Sequence, residues 1–165
     1  MMLRQFRFAA AISCLLFASA FAASAQEVSD DRHAGYYYPL PQTSETYTAR
    51  VVTLADSDRV RRIGFVTGLT QQLLTTPYPP DFAVYTKGSE AEKMIIVSLS
   101  GNRYNTLYRM RGLLANLTAQ SRLSTFFQEN TLAEHATFFD LLKMLGFTQL
   151  TVTDGDAFAH QITIE

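Results

Sequence analysis

The sequence predicts an α+β fold: an antiparallel or mixed β-sheet of about five strands, with three helices packed mainly on one face. Three observations carry this. Leu150–Thr153 and Phe158–Ile164 alternate at period two around Asp154-Gly155-Asp156, which is a hairpin signal with Gly155 free to take positive φ. Two longer stretches carry apolar residues at spacings of three and four, the signature of helices with one buried side. The predicted element order, β-α-β-β-α-α-β-β, contains hairpins joined by helices and no internal repeat.

Residues 44–165 form the predicted domain. Ser44 to Leu54 has Tyr47, Val51, Val52 and Leu54 with threonines between, a β-type composition. Asp56-Ser57-Asp58 then supplies short acceptor side chains for a helix start. Val60, Ile63, Gly64, Val66, Thr67, Leu69, Leu73 and Leu74 define an expected stripe over 57–75, and Pro77, Pro79 and Pro80 end the helix. Phe82–Thr86 and Met94–Leu99 read as strands of a hairpin, joined by an open polar loop around Gly88. Asn105 or Thr106 caps a second helix running to about Ser121, with Leu107, Met110, Leu113, Leu114 and Leu117 facing inward. Thr131-Leu132-Ala133-Glu134 has capping-box spacing and predicts a third helix, ended by Gly146.

The beginning of the chain reads differently. Arg4 and Arg7 precede an apolar run, Phe8 to Ala23, and Ala23-Ser24-Ala25 supplies a small-residue exit. This is the pattern of a secretory signal peptide over 1–25, with cleavage between Ala25 and Gln26. The run is shorter than the roughly 20 residues that span a bilayer, so no membrane span is expected after cleavage. The expected location is periplasmic or secreted. Cys14, the sole cysteine, leaves with the leader, which excludes thiol nucleophiles and Cys-based metal sites from the mature chain. Twelve Lys and Arg then stand against fifteen Asp and Glu, a net charge of −3 that argues against a nucleic-acid partner. Residues 26–43 read as an extended arm, with Pro39 and Pro41 and the run Tyr36-Tyr37-Tyr38. Those tyrosines pack the arm onto the domain or present an interaction strip to an envelope protein.

Recognised catalytic patterns are missing. There is no G-x-S-x-G elbow, no phosphate loop and no H-E-x-x-H helix, and an EF-type loop would need more ligands than Asp154 and Asp156. Hairpin-turn chemistry accounts for those two aspartates, and His160 reads as a residue on one sheet face. Glu134 and Asp140, six apart on one helix, do not face each other as a carboxylate pair. No metal and no cofactor is expected. The candidate site is instead a small-anion pocket at the start of the second helix. There Asn105 and Thr106 cap free amides, and Arg103 and Arg109 add charged donors. Arg59, Arg61 and Arg62 begin the other long helix and would deepen that pocket if both helix starts lay together.

Four segments, Arg32-His33-Ala34-Gly35-Tyr36-Tyr37-Tyr38-Pro39, Glu45-Thr46-Tyr47-Thr48-Ala49-Arg50, Asn105-Thr106-Leu107-Tyr108-Arg109-Met110-Arg111 and Asp154-Gly155-Asp156-Ala157-Phe158-Ala159-His160-Gln161, carry a resemblance. The mature sequence resembles a family of small exported bacterial proteins, some labelled molybdopterin-guanine dinucleotide biosynthesis protein A. That label implies a guanylyltransferase using GTP, Mg²⁺ and molybdopterin. Such transferases open with a Gly-rich nucleotide loop directly after the first strand; the corresponding Val51–Gly64 has no such loop. The expected function is therefore a soluble periplasmic binding or accessory role. Molybdenum-cofactor guanylyl transfer is the alternative and envelope hydrolysis the second alternative.

Overall fold

The computed structural model describes residues 39–100, 103–129, 132 and 134–165. The leader, the Tyr36–Tyr38 strip and Thr131 lie outside the described residues. The elements are β1 (Thr43–Tyr47), α1 (Arg59–Leu74), β2 (Phe82–Lys87), β3 (Lys93–Ser98), α2 (Leu107–Leu123), α3 (Thr125–Glu129), α4 (Phe138–Met144), β4 (Gln149–Thr153) and β5 (Ala159–Ile164). They form an α+β domain with one five-stranded mixed sheet in the order β1-β5-β4-β3-β2.

Both predicted hairpins form: β2–β3 and β4–β5 are antiparallel. They join through a parallel β3–β4 pair, and β1 adds in parallel to the outer edge of β5. Parallel neighbours need a long crossover, and the three helices between β3 and β4 supply it. The register sets Val84, Ile96 and Val152 side by side across β2, β3 and β4, and Met94, Leu150 and Ile162 across β3, β4 and β5. Because side chains alternate along a strand, these residues share one face. Val66 of α1, Met110, Leu113, Leu114 and Leu117 of α2, and Phe138 and Leu142 of α4 close over it as a single core.

Several local signals act as expected. Asp58 caps α1 through the Arg61 amide, and Thr106 caps α2 through the Arg109 amide. Gly146 at φ +80 ends α4, with its amide on the Lys143 carbonyl and that of Phe147 on the Leu142 carbonyl, a Schellman pair. In the β4–β5 turn the Asp154 carboxylate accepts the amides of Asp156, Ala157 and Phe158, and Gly155 sits at φ +82.

Other expectations are corrected. β1 stops at Tyr47, well short of Leu54. The last ladder bonds run from Glu165 N to Tyr47 O and from Ala49 N to Glu165 O. Beyond them the amides turn to α4: Arg50 N donates to Asp140 and Leu54 N to the Met144 carbonyl.

The buried side of α1 is also rotated from the expected stripe. It runs along Arg62, Val66, Leu69 and Leu73, whereas Val60 and Leu74 are 76% and 68% exposed. Arg62 Nε donates to Glu90 O at 2.8 Å and an Nη to Leu145 O at 3.3 Å, pinning the helix in that rotation. The third predicted helix starts six residues late. The working capping box is Thr137 with Asp140, each binding the other's backbone amide, while Glu134 stays exposed beside His135. Phe126 and Phe127 belong to an additional short helix, α3, between the second and third predicted helices.

Candidate functional site

The predicted anion cluster comes together at the start of α2, but its arginines already have partners. Arg109 donates to Asn105 Oδ1 at 3.1 Å, and Arg103 forms an ion pair with Asp81 just before β2. The arginines of α1 do not join them. Arg62 bonds Glu90, beyond the far end of β2, so a six-residue strand of roughly 20 Å separates the two helix starts. The expected deepening of the pocket therefore fails.

A second cluster sits where β1 meets β5. Thr43 Oγ1 lies 2.8 Å from His160 Nδ1, and His160 Nε2 lies 3.1 Å from Glu45 Oε1. The Nε2 contact is out of line for a hydrogen bond, so it is a close polar contact and not an aligned donation. Arg111 of α2 grips the other Glu45 oxygen at 2.6 Å. Burial opposes the Glu45 charge, but the His160 and Arg111 contacts outweigh it and hold the carboxyl below its ordinary value. Hydroxyl, imidazole and carboxylate in series have the order of a nucleophile relay. However, the His160 ring is only 1% exposed, which closes it to a substrate carbonyl. Beside this cluster, Tyr47 stacks on Phe139 with centroids 4.7 Å apart and points its hydroxyl at Asp140.

A site with room for a ligand lies between the helices. A cleft of about 520 Å³ is walled by Phe65 and Leu69 of α1, Leu117 of α2, Phe126 of α3, and Phe138 and Leu141 of α4. Bonds between the elements fix several of these walls. Arg62 holds α1 against the β2–β3 loop and the end of α4, which turns Phe65 and Leu69 toward the cleft. The amide of Phe138 donates to Thr118 Oγ1 at 3.2 Å, fixing the start of α4 to α2. Arg122 Nε donates to Ala136 O at 3.0 Å and holds the α2–α4 connection. Polar side chains occur at the margin, including Gln72, Gln120 and Ser121, and Arg61 is the one charged side chain among the described lining residues. Clefts of this size, mostly apolar with a few polar groups, are the usual form of small-molecule sites.

None of these wall residues was singled out as a site from the sequence. They come from four helices and look like ordinary core positions until the helices are placed. Among the described residues no three His, Cys, Asp or Glu side chains gather as metal ligands, and no helix is long and apolar enough to cross a membrane. No protein-family model, curated protein or solved structure matches the chain.

Proposed function

We propose that the chain is an exported, periplasmic binding or accessory protein, and that the inter-helical cleft holds a small apolar ligand. The observation that carries this is the cleft itself: about 520 Å³, open at the surface, lined by aromatic and aliphatic side chains from α1, α2, α3 and α4. Export rests on the leader pattern.

Nile red, a neutral apolar dye, tests the reading. It should bind once per chain with enhanced emission. Leu123→Glu places a charge on the cleft margin at a position 76% exposed, where the fold loses little. That variant should weaken dye binding about tenfold while its circular dichroism melt stays near wild type. Equal binding by both proteins would remove the cleft from the function.

The two alternatives draw less support. Guanylyl transfer needs backbone amides curled round a triphosphate, and residues 48–58, between β1 and α1, contain no glycine. Hydrolysis would draw on the Thr43–His160–Glu45 series, whose imidazole is buried.

A further inference from the structure

Resting on that reading of the cleft, we infer that its ligand is a single-chain amphiphile with an anionic head, and that Arg61 reads the head group. Arg61 and Gln72 mark the two ends of the α1 wall, eleven residues or about 16 Å apart along the helix axis. Between them the wall is Phe65 and Leu69, with no charge, which suits an extended hydrocarbon chain.

The charge at the Arg61 end has a second support. Arg61 stands in the first turn of a sixteen-residue helix with no acidic side chain in that turn. The helix dipole adds positive potential at the same end, partly offset by the N-cap carboxylate of Asp58, which accepts the Arg61 amide at 2.7 Å. Arg61 is tied to Asp56, but this is a surface pair: the carboxylate side chain is 71% exposed and that of the arginine 36%. Exposed pairs of this kind hold weakly and exchange readily. A guanidinium also has five donors, more than one carboxylate occupies. A ligand carboxylate can thus share or displace Asp56 without leaving a buried charge unpaired. Leu54, Met144 and Leu145 line the cleft near this end, where the Leu54 amide bonds the Met144 carbonyl and Arg62 the Leu145 carbonyl.

Isothermal titration of the mature chain with decanoate and with decanol, both kept below self-association, separates head-group reading from cleft binding. Arg61→Gln should weaken decanoate about tenfold and leave decanol unchanged, since one charge-assisted bond is lost. Asp56→Asn should tighten decanoate about threefold by freeing the guanidinium. Circular dichroism melts of both variants should overlay wild type because both side chains are on the surface. If decanol and decanoate bind wild type equally and Arg61→Gln changes neither, the head-group inference falls while the cleft reading stands. If neither ligand nor Nile red binds, both fall. If sedimentation shows a dimer that Leu123→Glu dissociates, the cleft is covered by a second copy and the amphiphile is refuted.

Discussion

Asp140 should be the most costly single polar residue to remove. It is fully buried, and its carboxylate accepts four bonds: Arg50 N at 2.9 Å, Thr137 N at 2.8 Å, Thr137 Oγ1 at 2.9 Å and Tyr47 Oη at 3.0 Å. It therefore ties the segment after β1, the start of α4 and the edge aromatic together. In Asp140→Ala the two hydroxyls, 2.9 Å apart, still bond each other, so the two amides are the groups left without a partner. Each unpaired buried donor costs about 1–3 kcal/mol. Two effects reduce the sum: the Arg50 amide lies near the surface and can hydrate, and alanine relieves the burial of a charge. The net loss should be about 2–3 kcal/mol, or roughly 6–15 °C in melting temperature for a domain of this size.

Asn keeps one acceptor but turns an amide toward a donor, so Asp140→Asn should lose about 1–2 kcal/mol. Burial opposes ionisation of Asp140, but the Arg50 and Thr137 amides and the two hydroxyls outweigh it and hold the carboxyl below its ordinary value. A depressed carboxylate stabilises above the unfolded pKa, and that stability is lost as pH falls through the folded value. The gap between wild type and Asp140→Asn should therefore close in acid. The assay is urea unfolding followed by far-ultraviolet circular dichroism, since the chain has no tryptophan. A loss under about 0.5 kcal/mol for Asp140→Ala, or a gap that widens as pH falls, would refute the reasoning.

Three further outcomes are expected. Gly146→Ala should lose about 1–3 kcal/mol in urea melts, because φ is +80 and a Cβ would lie 2.6 Å from the Arg62 guanidinium, whereas Gly64→Ala on the open side of α1 should gain about 0.5–1 kcal/mol. Glu45→Gln should flatten the fall in stability on acidification, because the Glu45 carboxyl titrates below its ordinary value and its pairing with Arg111 and His160 is lost as it protonates; a variant with unchanged acid sensitivity would place that sensitivity elsewhere. Intact mass of protein from the periplasm should begin at Gln26, and a full-length membrane-held species would rule out cleavage.

What the sequence determined by itself was local. The β4–β5 turn follows from Asp154 and Gly155, whose side-chain acceptor and positive φ act within five residues. The cap at Thr106 and the stop at Gly146 are likewise decided by their immediate neighbours. The two hairpins and the α+β class follow from periodicities of two and 3.6 that each element carries internally. What the tertiary structure decided was every choice between near-equal local options. Thr131 and Thr137 both precede an acidic residue by three, and Asp140 wins because Tyr47 and the Arg50 amide, some ninety residues earlier, also bind it. α1 has apolar residues on two sides, and the Arg62 bonds to Glu90 and Leu145 select which side is buried. The chain leaves the sheet after Ala49 because the amides of Arg50 and Leu54 find acceptors on α4 and not on a strand. The cleft belongs to the same class: Leu69, Leu117 and Leu141 are plain apolar helix positions, and only the placement of the four helices leaves a volume between them.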